Sequence, residues 1–145
     1  MSSQTIMITD HDRRRLGTIF DRAYAEGMAP WERLHRLEME LDHAVGIDGG
    51  DVPADVVTMN SIVRIVDLES GEDETYTLVY PERADIAQNR ISILAPVRTA
   101  LLGRRVGDVV SVAVPSGRRR IRIEAIQYQP ENASMEAATD TLRGP

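Results

Sequence analysis

Cysteine is absent from the 145 residues, which excludes disulfides, thiol catalysis and thiolate metal sites. Lysine is absent as well: the 17 strongly basic residues are all arginine, a pattern that reads as genome composition rather than as a binding signal. Aromatics make up only 4% of the chain, so a core has to be built from Leu, Ile, Val and Ala. No apolar run approaches the roughly 20 residues that span a bilayer. The opening "MSSQTIMITDHD" has neither the basic start nor the apolar stretch of a secretory signal. These absences lead to the expectation of a cytoplasmic protein with no membrane partner, folded as one domain or two small ones.

Charge is present but unevenly spread. The net charge is −6, and residues 1–55 hold 11 acids against 6 Arg while residues 56–129 hold 9 acids against 10 Arg. A chain of this balance does not offer duplex nucleic acid a broad basic face.

The apolar residues change period near residue 56. A helix is expected to open at Thr9 or Asp10, with Asp12 in its first turn and an apolar face of Leu16, Ile19, Phe20, Ala23 and Tyr24. Gly27 and Pro30 end it. Pro30 suits the first turn of a second helix, whose stripe is Trp31, Leu34, Leu37, Leu41, Ala44 and Val45. Two such helices joined by a short loop pack antiparallel. Residues 46–56, "GIDGGDVPADV", read as loop and linker. From Val56 the period is two, predicting strands in 56–68, 75–81, 90–96, 108–114 and 120–128. Pro96 at a first helical position and Gly103 just past a last one predict a short helix, seated by Ala100, Leu101 and Leu102. Residues from Pro130 onward have no apolar periodicity, and 133–145 are expected to be a disordered tail.

The stretch "ADIAQNRISILAPVRTALLGRRVGDVVSVAVPSG" with the later "IQYQP" resembles the C-terminal domain of the Gre transcript-cleavage factors of bacterial RNA polymerase. "DVVTMNSIVRI", "TLVYP" and "YQPE" sharpen the likeness towards the short branch of that family known as regulators of nucleoside diphosphate kinase, or Rnk. It covers about residues 52–132, while the helical part matches in type alone. The resemblance implies an α+β protein: an N-terminal helical hairpin, or short coiled coil, at 1–50, then an FKBP-like antiparallel β domain with one short helix at 51–132. It implies that the β domain docks on RNA polymerase at the mouth of the secondary channel, with DNA reached only through polymerase. The shorter hairpin would then occupy the site in competition with Gre factors without reaching the metal centre. A monomer is expected.

The candidate site residues follow. By resemblance, the loop Leu94, Ala95 and Pro96 contacts polymerase, and Leu94 stands where the family pattern can place an acid. The hairpin tip is Glu26, Gly27 and Met28. Transcript cleavage needs a close carboxylate pair to hold a second metal, whereas Glu26 and Glu32 lie six residues apart across the turn. Arg104, Arg105, Arg118 and Arg120 are candidates for a basic contact patch, with strand alternation sending Arg118, Arg120 and Arg122 to one face. His11, His35 and His43 have no metal-ligand spacing, and "DGGD" at 48–51 lacks the remaining ligands of a calcium loop. No cofactor motif is present, and no enzymatic activity is expected. A prolyl isomerase, the rival that an FKBP-like fold raises, needs an aromatic-walled pocket, and the β domain offers only Tyr76, Tyr80 and Tyr128. The other rival is direct contact with a nucleoside diphosphate kinase.

Overall fold

The computed structural model describes residues 6–95, 101–114 and 117–132. Helix α1 runs Asp10–Glu26, and the Thr9 hydroxyl caps it by accepting the Asp12 N–H at 3.1 Å. Such a cap satisfies a backbone donor that the helix cannot bond internally. Gly27, left-handed at φ +62°, ends the helix and donates its N–H to the Ala23 carbonyl. Helix α2 runs Trp31–Asp42, so Pro30 precedes its first turn instead of lying inside it. Leu16, Ile19, Phe20 and Ala23 of α1 face Leu34, Leu37 and Leu41 of α2, all buried. The Tyr24 hydroxyl ties the pair by donating to Glu38 Oε1 at 2.9 Å.

Two members of the expected α2 stripe depart from it. Val45 is 49% exposed and Trp31 is 61% exposed. Trp31 stands about 60° round the helix from Leu34 at 100° per residue, and it sits opposite the end of α1. Its ring stacks instead on His35, with centroids 4.8 Å apart and planes 11° from parallel.

The base of the hairpin is closed by two short parallel strands, β1 (Met7–Thr9) and β2 (Val45–Ile47), with Met7 opposite Val45 and Thr9 opposite Ile47. The segment expected as a linker is packed. It holds β2 and a 3₁₀ turn at Gly49–Asp51, and it buries Val52 and Val56. Its carbonyls are held from the far end of the chain: the Gln129 amide donates to Pro53 O at 2.8 Å and Val56 O at 2.7 Å, and Asn132 donates to Val52 O at 3.1 Å.

The main sheet contains β3 (Ile62–Asp67), β4 (Asp73–Val79), β5 (Arg90–Ser92), β6 (Val109–Val114) and β7 (Gly117–Tyr128), in the order β5-β4-β3-β7-β6. The strand predicted from Val56 starts only at Ile62. Before it comes a turn in which the Ser61 hydroxyl accepts the Thr58 N–H and Asn60 adopts φ +69°. The sheet is mixed, not wholly antiparallel, because β5 runs parallel to β4. Two 3₁₀ turns, Pro81–Arg83 and Ile86–Gln88, carry the chain round to that direction. Strand β7 bulges against β3 at two places. Alternation puts Val63, Ile65, Ile121 and Ile123 inward and leaves Arg64, Arg120 and Arg122 outward.

One cluster of buried residues runs from Leu16 and Phe20 through Leu34, Leu37, Met59 and Tyr80 to Leu101, Val112 and Ile123. The core therefore continues across residue 50. Of the predicted helix at 96–102, residues 96–100 lie outside the described residues, while Leu101 and Leu102 are buried and Gly103 has φ +82°. The expected tail at 133–145 also lies outside them.

Candidate functional site

The hairpin is fixed to the sheet through one carboxylate. Asp12 is 4% exposed; its Oδ2 accepts the Met59 N–H at 3.1 Å and its Oδ1 accepts the Tyr80 hydroxyl at 3.0 Å. Burial, reinforced by the neighbouring Asp12 charge, pushes the Tyr80 phenol far above its ordinary value, so it stays a neutral donor. Arg15 lies over the Tyr80 ring at 4.4 Å and pairs with Glu82 at 2.7 Å. A second contact joins α2 to the loop before residue 96, where Arg33 Nη1 donates to the Leu94 carbonyl at 3.2 Å. On α2, burial raises the Glu40 carboxyl, opposed by the charges of Arg104 and Arg36.

Leu94 is not an exposed loop residue. It is 6% exposed and belongs to the core, which corrects the reading of its side chain as a surface contact. The chain turns at 93–95, with the Ser92 hydroxyl accepting the Leu94 N–H at 3.0 Å and the Ser92 carbonyl accepting the Ala95 N–H at 2.9 Å. That turn rolls Leu94 inward beside Ile93 and leaves Ala95 half-buried. Pro96 lies outside the described residues.

At the hairpin tip, Glu26 is ion-paired to Arg22 one turn earlier, at 3.2 Å. Gly27 makes the turn and Met28 is 36% exposed. The acid nearest the apex is thus already engaged, and Glu32 begins the other helix.

The four arginines proposed as a patch fall in two places, Arg104 and Arg105 before β6 and Arg118 and Arg120 on one face of β7, each with its own partner. Arg105 precedes β6 and holds Asp55 through two bonds at 3.0 and 3.1 Å. Arg118 faces Ala113, near the other end of β6, and donates to the Ser111 hydroxyl at 3.0 Å. Arg120 is paired with Glu69 at 3.0 Å, and Arg104 faces Glu40 instead. The outward face of the sheet carries further pairs, Arg64–Asp73 and Arg122–Glu124, and Arg119–Asp67 closes the end of the opposite face, in register with Val112 and Ile121. The backbone N–H and guanidinium of Arg120 hold the Glu69 carboxyl below its usual range. For Asp67, partial burial is outweighed by the N–H groups of Ser70 and Glu69 and by Arg119, with the same result.

The three tyrosines of the β domain do not converge on a pocket wall. Tyr80 is turned towards α1, Tyr76 bonds Glu74, and Tyr128 is 44% exposed. Sequence reasoning read Asp12 only as a first-turn acid. Its partners lie 47 and 68 residues away, a distance at which spacing carries no signal.

Comparison with known proteins places these features. The family model described as "Transcription elongation factor, GreA/GreB, C-term" matches residues 52–128. The regulator of nucleoside diphosphate kinase of Escherichia coli K12 is 37% identical over 134 residues, covering 92% of this chain and 96% of its own. GreA of Clostridium beijerinckii is 39% identical over 106 residues, covering 73% of this chain but only 63% of its own length. Among solved structures, a GreA/GreB elongation factor from Nitrosomonas europaea superposes with a TM-score of 0.71 at 38% identity, covering 87% of this chain and all of that one.

Proposed function

The chain belongs to the GreA/GreB transcription elongation factor family, and from that premise we propose that it is a non-catalytic regulator that binds RNA polymerase near the secondary channel. It competes there with Gre factors and does not stimulate transcript cleavage. In this reading the FKBP-like β domain, 51–132, docks; the short coiled coil, 1–50, obstructs; and the protein acts as a cytoplasmic monomer that meets DNA only through polymerase.

The observation that carries the reading is the hairpin tip. Helices of 17 and 12 residues meet at Gly27, and the carboxylate nearest the apex is bound to Arg22. A tip that activates water through a second metal needs two free carboxylates close together. This one offers a single acid at the apex, paired with Arg22 of its own helix, and Glu32 stands across the turn in the first turn of α2. Stalled elongation complexes test the reading: Gre-driven cleavage is expected to fall as this protein is added, and cleavage by this protein alone would reject it.

The docking surface is tested by two substitutions. Ala95→Asp, at the half-buried end of the loop, is expected to weaken capture by purified core polymerase while the fold is retained. Leu94→Arg places a charge in the core and is expected to unfold the domain; a folded Leu94→Arg protein would show that the loop is more accessible than its burial implies. The name of the Escherichia coli relative supports a second reading, direct contact with a nucleoside diphosphate kinase. A pull-down with the purified kinase separates the two.

A further inference from the structure

Among the described residues, the arginines of the main sheet mostly carry a carboxylate: Arg64, Arg119, Arg120 and Arg122 all do. Arg90 of β5 and Arg83 of the turn after β4, like Arg118 of β7, are exposed with no acid within ion-pair distance among the described residues. Arg83 and Arg90 line one cleft of about 470 Å³ at the β5 edge, together with Asn60, Thr77, Glu82 and Asp85. Glu82 is taken up by Arg15, so the groups at the cleft, Arg15 included, balance to one net positive charge. Between the two arginines in the sequence stands Ile86, at 80% the most exposed large apolar side chain among the described residues.

This surface is preformed. Asp85 and Arg90 exchange backbone bonds at 2.9 and 3.0 Å, closing a short loop in which the Gln88 N–H bonds Asp85 O and the Asn89 N–H bonds Ile86 O. Arg83 is held the same way, its N–H bonding Tyr80 O at 2.9 Å. Ile86 is therefore displayed on a backbone whose local bonds are made, and little ordering cost is left to be met on binding. Strand β5 leads from Arg90 directly into the turn at 93–95, which makes the patch continuous with the proposed docking loop.

We infer that the cleft lined by Arg83 and Arg90, together with Ile86 exposed on the loop that joins them, receives an acidic protein segment: two carboxylates for the guanidiniums and an apolar side chain against Ile86. The inference rests on the polymerase-binding reading and assigns this segment to polymerase. Guanidinium groups recognise carboxylates through paired hydrogen bonds. A nucleic-acid backbone fits less well, since Asp85 lines the same cleft, the chain carries −6 overall, and an exposed isoleucine has nothing to offer a phosphate.

The test compares the intact chain with Arg83→Glu/Arg90→Glu and with Ile86→Asp for binding to purified core polymerase, at low and at physiological salt. Neither arginine makes a side-chain contact that the fold needs, so melting temperatures should match that of the intact chain. The double variant should associate about tenfold more slowly at low salt, with the gap narrowing as salt screens the charges. Ile86→Asp should bind more weakly at both salts. Equal association by all three proteins would overturn this inference and leave the polymerase reading standing. No binding by the intact chain would overturn both. A loss confined to RNA or DNA oligonucleotides, with polymerase binding intact, would assign the cleft to nucleic acid and overturn the protein partner.

Discussion

Asp12 accepts two hydrogen bonds from outside its own helix, and both donors are buried. Asp12→Ala leaves the Met59 N–H and the Tyr80 hydroxyl without an acceptor, which should cost about 2–4 kcal/mol. Tyr80→Phe takes one donor from the buried Asp12 carboxylate but leaves the Met59 N–H its acceptor, so its cost should be about 2 kcal/mol, smaller than that of Asp12→Ala. Denaturant unfolding of both variants checks the ratio; equal losses would mean that packing, not bonding, holds this junction. A residue of this kind is half legible in a sequence. The first-turn position of Asp12, the Thr9 cap and the Gly27 stop are local effects, and each was readable. What Asp12 binds depends on how the chain returns 47 and 68 residues later. Leu94 was misread for a related reason. A residue just before Pro96 looks like a loop, yet the Ser92 hydroxyl turns the backbone there and sends Ile93 and Leu94 inward together.

The elements themselves were largely legible, because period is a local property: α1, α2, β4, β6 and the inward alternation of β7 follow from it. Their joints were not. The segment at 46–56 looks like a linker by composition, and only amide donors from Gln129 and Asn132 reveal it as a strap. The parallel direction of β5 is set by two 3₁₀ turns that leave no periodic trace. Gly103 marks another joint, where the chain passes under β1. A Cβ there would lie 2.1 Å from Ile6 Cγ2 and 2.8 Å from Met7 O, at a φ of +82°. Gly103→Ala should therefore cost about 2–4 kcal/mol from strain and crowding together. Pairing it with Ile6→Ala should recover part of the loss but not the backbone share, as thermal melting would show. The turn from β3 to β4 supplies a prediction on pH. Asp67 and Glu69 have folded values below their ordinary ones, 3.8 and 4.5. Their contribution is complete above those ordinary values and is lost as pH falls through the depressed folded ones. Asp67→Asn/Glu69→Gln should be less stable near neutrality and should lose less than the intact protein on acidification. A parallel fall of the two stability profiles below pH 4.5 would contradict the assignment.

For the whole molecule, the decisive fact is the single core. Leu16, Phe20, Leu34 and Leu37 of the hairpin are buried in the same cluster as Met59, Leu101 and Ile123. The charge difference between residues 1–55 and 56–129 has no counterpart inside, because charge reports on the surface whereas the shared interior is uncharged. The full chain should melt in one transition, and a fragment starting at Asp51 should melt at a lower temperature because it exposes that cluster. Two transitions in the full chain, or an unshifted fragment, would show that the parts fold independently. The parallel β1–β2 pair has a consequence of another sort. Neighbouring strands lie about 4.8 Å apart, so the polypeptide leaves for the hairpin and comes back at nearly the same point. Asp12, Arg15 and Arg33 tie the flanks of the hairpin to the rest of the fold, so the part free to change in length is the tip at 27–30. Adding seven residues to each helix would extend the tip by about 10 Å while every contact of the sheet stayed in place. Chains built on this plan can thus differ in how far the tip projects while the sheet stays the same, and projection becomes a quantity that insertion and deletion can tune in steps.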